Sequence, residues 1–362
     1  MGQLHTGWDD RVGGDAAAGD NWTHWAHHGV AVLADGCVVT SAPDGGLLFV
    51  PPDGRSPRHV ATATDEIHGI TVVLDDAVDG PPRERLWLAD CGFTMARGDD
   101  GAYAPRTRDG LGPRAVLVEL DGREVMSIGP PDCECYEHVP FLPTSVAVDE
   151  PHLADPDHGG TGDVWIADGY GVGVVMRFSP MGTLEAMIDG THHGSAVAGA
   201  ATAAGGAGRF DCPHAVFIDR RRDEPELLVA DRGNGRVQVY GLDGEFRRSF
   251  GEGTLTSPSA FATVGDRLVV AELHARIVVL DADDRLVTEL GTDAAVCDRP
   301  GWPNALDEHG HPVRPPLHAG RFNSPHGLAV DRSGRLLVSE WLIGGRLVAV
   351  PAGEPRDTMS AS

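Results

Sequence analysis

Apolar positions along the chain fall in short runs, each ended by a turn rich in Gly, Pro and Asp. One phrase recurs six times: HGVAVLAD from His28, HGITVVLDD from His68, PTSVAVDE from Pro143, PHAVFIDRR from Pro213, PSAFATVGD from Pro258 and PHGLAVDRS from Pro325. Each run is fully apolar or alternating and too short for a helix, which predicts a strand. A second run follows each of them: CVVTSAP, RLWLADC, DVWIADG, ELLVADR, RLVVAEL and RLLVSEW. A third comes next in every unit (GLLFVPP, AVLVEL, VVMRFS, RVQVYG, RIVVLD, RLVAVP), and units one to five add a fourth, such as EFRRSFG and RLVTELG. Six units of four strands predict an all-β fold, a single six-bladed β-propeller of four-stranded antiparallel blades spanning residues 1–362. The sixth unit ends after its third strand, so the N-terminal segment, residues 1–22, is expected to close the last blade.

Unit lengths differ because loops intrude. One insertion, Cys91 to Pro113, lies inside unit two; a second, HHGSAVAGAATAAGGAGRF, precedes unit four; a third, Thr292 to Arg321, precedes unit six. The last two join an outer strand to the next innermost one. They are therefore expected at the channel end where innermost strands begin, as candidate lids.

Composition narrows the partners. The net charge is −25 and every basic residue is Arg, with no Lys. Such a chain repels phosphate backbones, which argues against nucleic acid. No apolar run is long enough to span a bilayer, and the first twenty residues carry neither the basic nor the apolar region of a secretory signal. A cytoplasmic, monomeric protein acting on a small molecule or peptide is expected. The six cysteines (Cys37, Cys91, Cys133, Cys135, Cys212, Cys297) read as scattered small residues, not a disulfide framework. No Walker loop, HExxH or G-x-S-x-G motif occurs, and GYGVG at Gly169 matches too little of a nucleotide loop.

Candidate chemistry comes from aligning the six phrases on the residue before each strand. The occupants are His28, His68, Thr144, His214, Ser259 and His326. Blades two, four and six lie about 120° apart in a regular six-fold ring. His68, His214 and His326 are thus expected to form a tripod on the channel axis. Three neutral imidazoles with an open position suit Zn²⁺ or another divalent transition metal. Small hydroxyls in blades three and five leave room for that tripod. His28 breaks the alternation and reads as a supporting group, a substrate contact or a repeat residue. His309, His311 and His318 read as solvated, and the second-strand acids Asp90, Asp168, Asp231, Glu272 and Glu340 as turn-fixing groups.

These phrases resemble NHL-type propellers, and among them the peptidyl-α-hydroxyglycine α-amidating lyases. The resemblance covers most blades and is sharpest from Pro143 to Tyr240 and again at Pro325. It implies zinc ligands at His68, His214 and His326. It also implies a catalytic tyrosine in ADGYGVGVVMRFSP, Tyr170, and an active-site arginine in ADRGNGRVQVY, Arg232. The family's second arginine has no counterpart in VVTSAP, its methionine before the last histidine is Ser324, and the cysteine after its tyrosine is Gly171. Its calcium-binding aspartate is Gly327, which argues against a structural Ca²⁺.

The resemblance implies a lyase acting on an N-acyl hemiaminal. The metal would lower the pKa of the substrate hydroxyl, Tyr170 would take its proton, and Arg232 would aid that ionisation or hold a carboxylate. Collapse would then release an amide and a carbonyl product. Two other readings stay open: a lactonase-like metal-dependent hydrolase, and a non-catalytic NHL binding platform.

Overall fold

Each recurring phrase is a strand. The computed structural model describes residues 8, 9, 12, 24–42, 45–75, 83–107, 112–151, 160–189 and 206–351. The innermost strands are Val30–Val32, Ile67–Asp75, Ser145–Val148, Pro213–Asp219, Pro258–Val264 and Pro325–Val330. Each begins an antiparallel sheet, four-stranded in the first five repeats and three-stranded in the sixth. Each innermost strand packs against the next, and Val30–Val32 packs against Pro325–Val330, so the ring closes.

The middle strands read as unbroken apolar runs because both faces of each sheet are covered by neighbouring sheets. In Arg267–Glu272 every residue after Arg267 is buried. Outermost strands lose that cover, and Leu286–Leu290 is largely exposed. The core is accordingly divided among the junctions. One buried cluster, with Trp87, Phe141 and Met176, fills the contact of sheets two and three, and Phe261 and Leu228 share that of sheets four and five. Equivalent clusters occupy the other four junctions.

At the last sheet Asp9 pairs with Ala349 through two backbone hydrogen bonds, and Trp8 packs on Phe322. Nearly all the rest of segment 1–22 lies outside the described residues, as do 190–205 of the second insertion.

The insertion inside repeat two forms a hairpin, Thr94–Arg97 with Tyr103–Arg106. It joins Trp25–Ala26 and Leu342–Ile343 in a further four-stranded sheet. The third insertion is tied to the same sheet, where the Asn304 side chain accepts the Ile343 N–H at 2.7 Å. The cysteines are not all isolated: Cys133 and Cys135 are bridged, because the turn through Glu134 brings their Cα atoms to 5.4 Å. Cys37, Cys91, Cys212 and Cys297 are free.

Candidate metal centre

The innermost strands start with a local fault that aims the histidines. In repeats two, four, five and six the pairing register shifts across the first residues, at Ile67/Gly69, Pro213/Val216, Pro258/Ala260 and Pro325/Gly327. Such a bulge turns a side chain out of the alternating pattern. His68, His214 and His326 sit in these bulges, all buried, and line a central channel of about 590 Å³.

In repeats two to six the turn leading into the innermost strand is held by the acid at the end of the second strand. Asp90 accepts the N–H groups of Asp65, Glu66 and Gly92. Glu272 accepts those of Thr256 and Ser257, and Glu340 those of Asn323 and Ser324. Asp168 and Asp231 do the same for Leu142 and Asp211. The five acids are turn-fixing groups, as the sequence suggested.

The imidazoles are fixed from one side. The Nδ1 atoms of His68, His214 and His326 lie 2.6, 2.7 and 3.2 Å from the carbonyl oxygens of Thr144, Ser259 and His28. A carbonyl only accepts, so each Nδ1 carries the proton and each Nε2 presents a lone pair. Burial pushes the His68 pKa down to about 3, and those of His214 and His326 well below the usual value. The rings are therefore neutral at pH 7. Yet the Nε2 atoms of His326 and His68 stand 3.1 Å apart, lone pair towards lone pair. That spacing matches two ligands on one ion at the usual Zn–N length of about 2.0–2.1 Å. A cation relieves the repulsion, and this donor set fits a divalent transition metal.

The hydroxyls of the alternate repeats fold away from the axis. Thr144 Oγ1 donates to Pro213 O at 3.2 Å and Ser259 Oγ to Pro325 O at 3.0 Å. His28 plays the part of Thr144 and Ser259 towards the last histidine: its carbonyl accepts from His326 Nδ1 and from Ser339 Oγ.

A fourth imidazole comes from a residue that repeat alignment passes over. His27, His68, His214 and His326 each offer a nitrogen within 4.8 Å of the others. His27 follows the short strand Trp25–Ala26, which is clamped between Leu342–Ile343 and Thr94–Arg97. The alignment selects His28, and no periodic signal marks the residue before it.

Tyr170 and Arg232 meet the same centre. The Tyr170 hydroxyl lies 2.8 Å from His27 Nε2, 3.1 Å from His68 Nε2 and 3.3 Å from His214 Nε2. Asp168 fixes its loop by accepting the Val172 N–H and the Tyr136 hydroxyl. Arg232 starts a 3₁₀ turn ended by Gly235 in the left-handed region, and its Nη1 donates to Tyr170 Oη at 3.5 Å. Burial raises the phenol's pKa well above its ordinary value, and the Arg232 charge works against that rise. His309 and His318 lie in the third insertion away from this cluster, each beside an acid.

No protein-family model matches the chain. A structural-genomics protein of unknown function from Bacteroides thetaiotaomicron aligns with a TM-score of 0.57 at 13% identity, over 95% of this chain and 76% of that one. A streptogramin B lyase aligns over 96% and 99% of the two chains, at 10% identity and a TM-score of 0.49. An inactive virginiamycin B lyase from Staphylococcus aureus, solved with quinupristin, gives 12% identity and a TM-score of 0.45, over 92% and 86%. At 13% identity the first likeness extends to the fold alone.

Proposed function

We propose that the chain is a metal-dependent carbon–nitrogen lyase, with His68, His214 and His326 holding Zn²⁺ or another divalent transition metal. The substrate in this reading is a small molecule or peptide N-acyl hemiaminal, as the resemblance to the amidating lyases implies. The observation that carries it is the set of three Nδ1-anchored imidazoles with convergent lone pairs, capped by the half-buried Tyr170. Bound there, the metal would act as a Lewis acid towards a substrate hydroxyl.

The chain's own groups supply the proton handling. Once the Nε2 atoms of His68 and His214 are committed, the Tyr170 hydroxyl keeps His27 as its hydrogen-bond partner. Arg232 favours the ionised phenol by its charge. Tyr170 then takes the proton of the hemiaminal hydroxyl; the carbon bearing it becomes a carbonyl as its C–N bond breaks, and the nitrogen takes that proton back from Tyr170 and leaves as an amide.

Elemental analysis and an assay with an N-acyl-α-hydroxyglycine test the reading. About one metal per chain is expected, lost in His214→Ala. Tyr170→Phe should keep the metal and lose at least 10²-fold in turnover, the usual scale for a positioned base. A metal-free wild type, or full activity in Tyr170→Phe, overturns the proposal. Label from ¹⁸O water in the acyl fragment, released as a carboxylate in place of the amide, would assign the chain to the hydrolases instead.

A further inference from the structure

The side of the centre away from the channel is walled by aromatic rings from distant parts of the chain. Trp25 precedes His27, Tyr103 belongs to the hairpin of the first insertion, Trp302 to the third insertion, and Trp341 follows the second strand of the last sheet. Trp25 and Trp341 are stacked, with centroids 5.3 Å apart and planes at 25°. Tyr103 meets Trp25 edge-on at 6.0 Å, and Trp302 meets Trp341 edge-on at 6.3 Å. Trp341 lies 5.5 Å from His27, which is itself stacked on Tyr170 at 5.5 Å and 22°.

Two of these rings, Trp302 and Trp341, are held by the turn that aims the last tripod histidine. Asn323 O accepts the Trp302 indole N–H at 3.0 Å. Ser324 O accepts the Trp341 N–H at 2.9 Å, and Ser324 Oγ donates to Trp341 O at 2.6 Å. Trp25, Tyr103, Trp302 and Trp341 are all half-buried, so each keeps a face or edge towards solvent, and neighbouring His274 is exposed. Half-buried indoles fixed in place offer flat apolar area at little cost in side-chain entropy. Arg232 and the proposed metal stand behind them, and both repel a cation. That charge arrangement selects a neutral planar group over a quaternary ammonium, which aromatic walls also bind.

We infer that the Trp25–Tyr103–Trp302–Trp341 wall is a specificity site for an uncharged aromatic group, carried on the acyl side of the substrate. This rests on the reading that the reaction releases an amide, and it gives that amide a chemical class. Product-like amides therefore serve as probes.

Isothermal titration of the full chain, with and without added Zn²⁺, compares benzamide, acetamide and carbamoylmethyl-trimethylammonium. Benzamide is expected to bind about tenfold more tightly than acetamide, the scale of one good ring contact. That preference should vanish in Trp341→Ala and in Trp302→Ala and return in Trp341→Phe, with melting temperatures confirming that each variant is folded. Equal affinity for the two neutral amides, tightest binding of the ammonium probe, or a preference that survives both alanine variants overturns the inference. The measurement needs no turnover, so a failed lyase assay leaves it readable.

Discussion

At the scale of single residues, the tripod depends on glycines that let sheets approach. A Cβ on Gly69 would lie 2.8 Å from Thr144 O, the oxygen that accepts the His68 Nδ1–H. Gly69→Ala is therefore expected to cost about 1–3 kcal/mol through overpacking, and to weaken zinc binding, with both effects visible in denaturation and chelator competition. Unchanged zinc affinity would show that the carbonyl does not orient the ligand. Glu66 gives a second residue-scale test. Burial raises its pKa to about 8, against the pull of a Thr94 hydrogen bond and the His27 N–H. Between the ordinary carboxylate range and pH 8 the unfolded chain has lost this proton while the folded one keeps it. Stability from Glu66 is thus complete at low pH and declines as pH rises through 8. In the metal-free protein Glu66→Gln should remove a slope of about 1.4 kcal/mol per pH unit, measured by urea unfolding from pH 5 to 8; equal slopes would mean the carboxyl is ionised. His68, His214 and His326 could be picked out because the repeat marks their places, and Tyr170 and Arg232 only through the resemblance carried by the phrases around them. His27 could not, since it owes its position to a two-residue strand paired with Ile343 across the whole length of the chain.

At the scale of elements, the second strand does two jobs with one composition. Its apolar residues fill two junctions at once, and its terminal acid satisfies backbone donors of the turn that leads into the innermost strand of the same sheet, which would otherwise be buried without partners. Glu340 adds a third task, because it also pairs with the buried Arg346 at 2.9 Å. Glu340→Ala would leave that guanidinium without its carboxylate, held only by carbonyls such as Arg321 O, and would strand two N–H groups. A loss of about 3–5 kcal/mol is expected, with the turn carrying Asn323 and Ser324 exchanging its amide protons faster. A loss below 1 kcal/mol would mean that water replaces the carboxylate. These acids were legible because a buried-looking strand ending in Asp or Glu recurs in five repeats. The sheet assembled from Trp25–Ala26, Leu342–Ile343 and the insertion hairpin was not, because its pairings follow no repeat and join segments with little pattern of their own.

For the whole molecule, ring closure and the candidate metal centre are one structure. A belt of hydrogen bonds crosses every junction at the channel mouth. Gly29 N donates to Ile67 O, His68 Nδ1 to Thr144 O, Thr144 Oγ1 to Pro213 O, His214 Nδ1 to Ser259 O, Ser259 Oγ to Pro325 O, and His326 Nδ1 to His28 O. Imidazole and hydroxyl links alternate over most of the circle, which explains why the repeat needs a histidine in every second sheet and a small hydroxyl between. An ion on the tripod would then tie sheets two, four and six to each other as well as to their neighbours. Since the ion binds the folded ring and not the open chain, added Zn²⁺ should raise the melting temperature with concentration. Thr144→Val changes no proposed ligand and keeps the side-chain shape, yet removes one link of the belt. It should cost about 1–2 kcal/mol and lower zinc affinity, because the Thr144 carbonyl that steadies His68 is no longer held from the far side. If Thr144→Val lost stability but bound zinc as tightly as the wild type, the belt would be a closure device alone, and the orientation of the three rings would have to come from the bulges that carry them.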